Sequence, residues 1–288
     1  MCHGGSGPRG RCRVYRCFPF RGKGIGGQFR GGHRRLVEYA HTFRVKVYVT
    51  VNTILKDEEL PETERLVWAL YRAGVDALIV QDMALLELDL PPIPLHASTQ
   101  MDNRTPEKVK FLHGLGFSQV VLARELSLAE IQAVHAACDV PLEVFVHGAL
   151  CVSYSGQCYV SQHCFGRSAN RGECAQFCRL KFDMVDSDGR MIEQGRHLLS
   201  LKDMNRGEDL ERLLDAGVTS LKIEGRLKDV AYVKKRDCVV PQPFGRNLQT
   251  PSGVPPGFIG AGLFGVHTLF GEKFQPRIHP LFSGWPYT

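Results

Sequence analysis

Four cysteines stand in the frame Cys151-x6-Cys158-x15-Cys174-x3-Cys178, directly after the apolar run Leu142-Glu-Val-Phe-Val-His147, which reads as a buried strand. Four thiolates gathered at a strand's end can hold an iron–sulfur cluster or a zinc ion. The spacing favours the cluster. Structural zinc sites usually pair ligands about two to four residues apart at both ends, and here only Cys174 and Cys178 do so. The neighbours Tyr154-Ser-Gly-Gln-Cys158 and Gly166-Arg-Ser-Ala-Asn-Arg-Gly-Glu-Cys174 are polar and glycine-rich, which puts these thiols on loops and not in a packed helix face. That argues against ordinary buried cysteines clustering by chance among the ten in the chain. Arg167, Arg171 and Arg179 nearby favour thiolate. Cys164 is a fifth thiol in the same stretch, so the exact ligand set stays open.

Other chemistries have less support. Gly22-Lys-Gly24-Ile-Gly-Gly27 matches a dinucleotide-binding glycine pattern, but no clean strand precedes it, and Gln28-Phe-Arg-Gly-Gly32 is not expected to open a stable helix. There is no H-E-x-x-H and no G-x-S-x-G. Cys151 lies near His147, yet nothing in the sequence orients the two as nucleophile and base. Arg167, Arg171, Arg179 and Lys181, with Lys234, Lys235 and Arg236, are cations that could hold phosphates, although solvated loops carry such charges equally often.

The elements that position these residues alternate in type. Strand candidates are Val45–Val51, Ala77–Val80, Pro94–Ser98, Gln119–Leu122, Leu142–Val146, His197–Leu201 and Ser220–Ile223, each short and apolar on both sides. Helix signals lie between them. Pro61 opens one segment; Thr105-Pro106-Glu107 reads as an N-cap followed by proline; Ser127-Leu-Ala-Glu130 is a capping box; Leu210, Leu213 and Leu214 repeat the pattern. Strand–helix units with short connections predict an α/β fold with a parallel sheet, a (β/α) TIM-barrel-like domain in preference to an open doubly wound sheet. Polar residues follow each apolar run: Asn52, Gln81-Asp82, Thr99-Gln100, Arg124-Glu125, His147, Lys202-Asp203 and Glu224. In a barrel these ends converge on the catalytic face. His147, Lys202 and Glu224 are therefore the candidate catalytic residues lining a substrate pocket, while Lys222 is expected in the barrel wall.

Residues 1–36, with ten glycines and nine Lys/Arg and no Asp or Glu, read as an irregular segment. Residues 37–236 form the ordered domain, with a cysteine-rich insertion at 148–181. Residues 237–288, with eight prolines and eight glycines, read as an irregular tail. The net charge of +6 is thus local, since the rest of the chain has 27 cationic against 30 acidic residues. No secretory signal and no membrane span are recognisable, so a cytoplasmic, reducing setting is expected, with cysteines as metal ligands or thiols and not disulfides.

Glu143-Val-Phe-Val-His-Gly-Ala-Leu-Cys151, continuing through Ser153-Tyr-Ser-Gly-Gln-Cys158, resembles the signature of the peptidase U32 (collagenase-like) family. Gly166-Arg-Ser-Ala-Asn-Arg-Gly-Glu-Cys-Ala-Gln-Phe-Cys-Arg179, Ser200-Leu-Lys-Asp-Met204 and Leu221-Lys-Ile-Glu-Gly-Arg226 extend the likeness over roughly residues 34–236. The resemblance implies a barrel-like domain with a [4Fe–4S] cluster held by Cys151, Cys158, Cys174 and Cys178, zinc being the alternative. The Arg-Ser-Ala-Asn-Arg-Gly-Glu-Cys stretch is most similar to the branch that hydroxylates RNA bases in tRNA or 23S rRNA with prephenate as co-substrate. The partner is then RNA and not a membrane. A collagenase-like peptidase acting on a peptide substrate, or a truncated non-catalytic remnant, are the alternatives. Family members begin with two strand–helix units where this chain is Arg/Gly-rich, and continue where it turns Pro/Gly-rich. Both ends are accordingly expected to be out-of-frame or misassembled sequence, with the barrel incomplete at its N-terminus.

Overall fold

The computed structural model describes residues 12–16 and 29–224. Contacts divide the chain into Met1–Lys222 and Ile223–Thr288; of the second unit only Ile223 and Glu224 fall among the described residues. The glycine cluster at 22–27, the cations at 234–236 and the tail at 237–288 lie outside them.

The main sheet is built from β1 (Cys12–Arg16), β2 (Lys46–Val51), β3 (Ala77–Val80), β4 (Leu95–Ala97), β5 (Gln119–Val121), β6 (Leu142–Gly148) and β10 (Val218–Ile223), in that spatial order. The pairs from β1 to β6 are all parallel. Helices α1 (Phe29–Thr42), α2 (Leu60–Arg72), α3 (Pro106–Gly114) and α4 (Leu128–Ala137) join successive strands, and a 3₁₀ stretch, Met83–Glu87, joins β3 to β4. Each step moves to the next neighbour. With the right-handed crossovers that parallel strands adopt, every connection then falls on one side of the sheet and curls it into a half-barrel. The architecture is α/β with a parallel-strand half-barrel.

Strand alternation sorts the two faces. Val47, Val49 and Val51, Leu78 and Val80, and Leu142, Val144 and Val146 point one way, toward the side of the helices, whose buried residues Leu66, Val67, Leu70, Val109, Leu112, Ile131 and Val134 are equally apolar. The opposite, inward face carries Tyr48, Thr50 and Asn52, then Ile79 and Gln81, then His96 and Ser98, then Gln119, then Glu143, Phe145 and His147. One face is thus a conventional core and the other is rich in polar groups.

Caps behave as their sequences require. Thr105 accepts from Lys108 N at the start of α3, and Ser127 and Glu130 form a reciprocal capping box at the start of α4.

Three expectations are corrected. The first 36 residues are not wholly irregular: β1 pairs with β2, and α1 begins at Phe29, in the Gln28–Gly32 stretch whose glycines argued against a helix. The apolar stripe of Leu36, Val37 and Ala40, all buried, supplies the tertiary packing that overrides those glycines. His197–Leu201 is not a strand; it is a turn and coil with Leu198, Leu199 and Leu201 exposed. Before it, β7 (Phe182–Val185) and β8 (Met191–Arg196) form an antiparallel hairpin. Its turn is closed by Asp186, whose carboxylate accepts from Asp188 N and Arg190 N at 3.0 and 2.8 Å, with Gly189 at φ +80. After it, β9 (Met204–Asn205) pairs antiparallel with the end of β6, and α5 (Leu210–Asp215) leads into β10.

Candidate functional site

The inward face holds a buried polar belt. Register places Thr50 beside Ile79, Ile79 beside His96, and His96 beside Gln119. Glu143 sits next along, only 3% exposed. Its Oε2 accepts from Gln119 Nε2 at 3.0 Å and from Ser220 Oγ at 2.7 Å, and its Oε1 lies 2.9 Å from Lys222 Nζ. Burial alone would push the Glu143 carboxyl up; the Lys222 ammonium, with Ser220 and His96, outweighs it, and the group ionises below its ordinary value. His96 is 4% exposed and meets the Tyr48 ring edge-on at 4.7 Å. Burial lowers its pKa to about 4 against the opposing pull of Glu143, so the imidazole is neutral near pH 7. Its Nδ1 has no hydrogen-bond partner.

Above the belt, toward the carboxyl ends of the strands, Phe145 packs with Val121 and Met204, and Leu150 covers them. The Arg124 guanidinium stands 4.0 Å from the Phe145 ring centre and the Lys222 ammonium 5.2 Å, both within cation–π range. Asn52 and Gln81 lie at the ends of neighbouring strands, with their amide nitrogens bonded to Ser98 Oγ and to the Gln100 carbonyl.

The three candidate catalytic residues are placed differently. His147 is 2% exposed at the end of β6, on the same face as Glu143 and Phe145. Lys202 is exposed on the coil before β9, and does not follow a parallel strand because the strand expected there is absent. Glu224 directly follows β10 and belongs to the second unit. Lys222, read as barrel wall, instead faces Glu143. Glu143, His96 and Gln119 escaped the sequence reading. The available signal was a charged or ionisable residue interrupting an apolar strand, as in Leu142-Glu-Val, Leu95-His-Ala and Leu221-Lys-Ile.

The cysteine segment is bolted to the strand ends. Ser155 N and Oγ donate to the two Glu125 carboxylate oxygens, both at 2.9 Å. Arg104, ion-paired with Asp102, stacks 4.0 Å over the Tyr154 ring. Gly156, at φ +78, passes so near the Gln100 carbonyl that a Cβ would collide with it. Arg171 forks onto Glu59 and also donates to the Ile54 carbonyl at 2.6 Å. Arg179 donates to the Leu150 carbonyl at 2.6 Å and to Ser200 Oγ at 3.1 Å. Of the seven cations read as possible phosphate ligands, four are among the described residues; Arg171 and Arg179 are engaged within the fold, whereas Arg167 and Lys181 are exposed.

Beyond burial, Cys174 and Cys158 also push the Cys178 thiol up. Burial is the larger cause pushing the Cys178 thiol up, and the adjacent Arg179 opposes it. Gln176 N–H donates to Cys174 Sγ at 3.4 Å. Cys151 and Cys164 are exposed. Among the described residues no three Cys, His, Asp or Glu side chains are close enough to hold one ion. An all-sulfur donor set with a backbone amide on one sulfur fits a cluster in kind, since a cluster takes each thiolate on a separate iron and spans more space than a single ion.

The family model for peptidase family U32 matches residues 31–240. This chain belongs to peptidase family U32. The match covers the half-barrel from β2 onward, the polar belt and the cysteine segment, and leaves β1 outside it. Over 199 residues the chain is 59% identical to the 23S rRNA 5-hydroxycytidine C2501 synthase of Escherichia coli (strain K12), covering 69% of this chain and 30% of that one. It is 36% identical to the tRNA hydroxylation protein P1 of Bacillus subtilis (strain 168), covering 68% of this chain and 49% of that one. A U32 protein of Porphyromonas gingivalis (strain ATCC BAA-308 / W83) named Collagenase is 33% identical, over 69% and 51% respectively. The chain thus spans 30% to 51% of the length of these relatives. Among solved structures it resembles the U32 peptidase Mk0906, at 16% identity and TM-score 0.39 over 59% of this chain and 76% of that one. No helix among the described residues is long and apolar enough to cross a membrane.

Proposed function

We propose that this chain is the barrel portion of an iron–sulfur U32 enzyme that hydroxylates a base in RNA, either tRNA or 23S rRNA, with prephenate as co-substrate. The observation that carries the reading is the 59% identity to a hydroxycytidine synthase. The likeness to a protein named Collagenase is weaker, at 33%, and peptide hydrolysis is the less supported reading.

The arrangement suits the proposal physically. The half-barrel would belong to a TIM-barrel-like domain whose carboxyl-end face is the reaction site, as in barrel enzymes generally. The cysteine segment, a cysteine-rich insertion after β6, is docked on that face, and Cys151, Cys158, Cys174 and Cys178 would hold a [4Fe–4S] cluster beside it. When bound, such a cluster supplies electron transfer or a Lewis-acidic iron. The chain's own residues do the rest. In this reading His147 and neutral His96 would present ring nitrogens toward a bound ring, Lys222 and Glu143 would fix the polar floor, and Phe145 and Leu150 would shield it from water.

Anaerobic purification followed by iron and acid-labile sulfide analysis tests the cofactor: wild type should hold both in near-equal amounts, and Cys174→Ala should lose them. Stoichiometric zinc without iron would replace this account with a structural-metal one. Mass spectrometry of RNA from cells carrying or lacking the gene tests the reaction. A one-oxygen mass gain on a single base that depends on the gene supports it, and unchanged RNA alongside gelatin cleavage would favour the peptidase.

A further inference from the structure

The cysteine segment turns aromatic rings toward solvent. Tyr154 is 59% exposed, Tyr159 60% and Phe165 47%. Exposed rings forgo the burial that aromatic side chains ordinarily gain, and three of them in so short a stretch point to a partner that covers them. Local structure holds each in place. The Arg104 guanidinium lies 4.0 Å from the centre of the Tyr154 ring, covering one face. Phe165 leans on Phe177 at 6.2 Å, which packs on Phe182 at 4.9 Å. The short helix Val160–Phe165 is fixed by buried Ser161, whose hydroxyl accepts from Ala175 N at 3.0 Å. At about 100° of turn per residue, Tyr159 and His163 lie on the opposite, outward side of that helix. Both are exposed, and His163 N donates to the Tyr159 carbonyl at 3.0 Å.

The rings do not merge into one apolar face. Ser153, Ser155, Gln157, Gln162 and His163 stand between them, which suits flat ligands taken one at a time better than the apolar core of a protein interface. Charge points the same way. Residues 151–181 contain Arg167, Arg171, Arg179 and Lys181 against a single acid, Glu173, whereas the whole chain is nearly balanced at 36 Lys/Arg to 30 Asp/Glu. Arg167, just beyond the helix, is exposed. An anionic polymer carrying flat bases matches both features, because every base has a π face and every linkage a phosphate. Ser155 on Glu125, and Gly156 against the Gln100 carbonyl, hold this surface on the carboxyl ends of the strands.

We propose that the outer face of the cysteine segment is a stacking platform for single-stranded RNA. Tyr154 and Tyr159 each take a base flanking the target nucleotide, and Arg167 takes a backbone phosphate. The proposal rests on the RNA reading above and adds to it the surface that holds the strand beside the reaction site. Stacking reads no sequence, so the platform grips unpaired nucleotides of any identity and excludes paired ones, whose faces are already stacked on each other.

The full-length chain is titrated by fluorescence anisotropy with a short single-stranded RNA of mixed sequence, with the same strand made abasic, and with its duplex. Binding is read without requiring turnover. Expected is an affinity for the intact single strand about 5- to 150-fold above that for the abasic strand or the duplex, the worth of stacking one base. Tyr159→Leu, which keeps an apolar side chain and removes the π face, should weaken the single strand by about 5- to 150-fold, with circular dichroism unchanged. Tyr159→Phe should bind as wild type. Arg167→Gln should reduce the slope of log affinity against log salt by about 0.7, the share of one phosphate on a single strand. Equal affinity for intact and abasic strands, absence of binding to all three RNAs, or wild-type binding by Tyr159→Leu would overturn the proposal. So would self-association in sedimentation that Tyr159→Leu abolishes while RNA binding stays the same, since the rings would then join copies of the chain. Failure of the broader reading looks different: binding that depends on Tyr159 without any hydroxylated RNA removes the reaction and leaves the platform, and gene-dependent hydroxylation with binding indifferent to Tyr159→Leu does the reverse.

Discussion

Lys222 Nζ lies 2.9 Å from Glu143 Oε1 on the inward face of the sheet, joining the last strand of the half-barrel to its neighbour by an ion pair almost sealed from water. A pair in this position is held by mutual dependence. Each charge is tolerable because the other is present, and the remaining carboxylate oxygen is satisfied by Gln119 and Ser220. Lys222→Met should therefore destabilise the protein by about 3–5 kcal/mol, the range seen when one member of a buried pair is removed. The double variant Lys222→Met, Glu143→Gln should recover much of that loss, because no uncompensated charge remains. Urea denaturation at pH 7 measures both, and a double variant no more stable than the single one would show that the pair is not the cause.

The same pair sets the sign of a pH effect in the single variant. Without the ammonium, burial is the dominant influence on Glu143 and drives its pKa above the ordinary value. A carboxyl that is harder to ionise folded than unfolded favours folding when protonated. Lys222→Met should accordingly regain stability as pH falls below neutrality, opposite to wild type, whose depressed Glu143 loses stability on acidification. Denaturation midpoints of the two proteins between pH 5 and pH 8 should converge toward the acid end.

His96 gives a separate acid-side prediction. Its folded pKa of about 4 lies below the ordinary 6.5, so the unfolded chain binds the extra proton first. Stability should be complete above about pH 6.5 and fall as the pH drops toward 4, by about 3 kcal/mol at most from this group. His96→Asn removes the titrating ring, and the slope of stability against pH across that window should flatten relative to wild type. An unchanged slope would place the acid sensitivity on other groups.

Arg171 ties the cysteine segment to the loop after β2 through Glu59 and the Ile54 carbonyl. The Arg171 hydrogen bond is the main cause of the lowered Glu59 pKa, with burial opposing it and the Lys56 backbone assisting. A depressed carboxyl contributes above its unfolded value and loses its contribution as pH falls through the folded one, so docking should loosen below about pH 4. Arg171→Lys keeps the charge and loses the planar fork. Hydrogen exchange at residues 168–174 should speed up by about 10-fold or more in that variant, a local cost of roughly 1.5–3 kcal/mol for a charged hydrogen bond, while exchange in β3 and β5 stays as in wild type.

How far these relationships could be read in advance depends on their range along the chain. Thr105-Pro106 and Ser127-x-x-Glu130 name their own helix starts, because a cap is satisfied within one turn. Ala77–Val80 is a strand as expected, since an unbroken apolar run between polar ends has few other places to go. His197–Leu201 looked similar but pairs with no strand among the described residues; it leaves the end of the hairpin closed by Asp186, whose second strand stops at Arg196. The belt was invisible for a different reason. Gln119, Glu143, Ser220 and Lys222 meet only through tertiary structure, with 77 residues separating Ser220 from Glu143, and alternation along β6 was masked by its being buried on both faces. The cysteine frame was legible as a set of donors, whereas the anchoring of its segment to the strand ends by Ser155, Gly156 and Arg171 was not.

Gly156 offers the most selective way to separate that anchoring from the half-barrel. A Cβ there would run into the Gln100 carbonyl oxygen, and the positive φ of +78 is unfavourable to any L side chain. Neither neighbour can yield cheaply, because Gln100 is backbone in the 3₁₀ turn after β4 and Ser155 is held on both Glu125 oxygens. In Gly156→Ala the loop from Tyr154 to Cys158 must lift off the strand ends, carrying Cys158 away from Cys174 and Cys178. The expected result is a protein with native helical circular dichroism that is cut by protease within residues 152–160 and holds far less iron after anaerobic reconstitution than wild type. Full iron content with the loop still protected would mean that the Gly156–Gln100 contact does not set the position of Cys158.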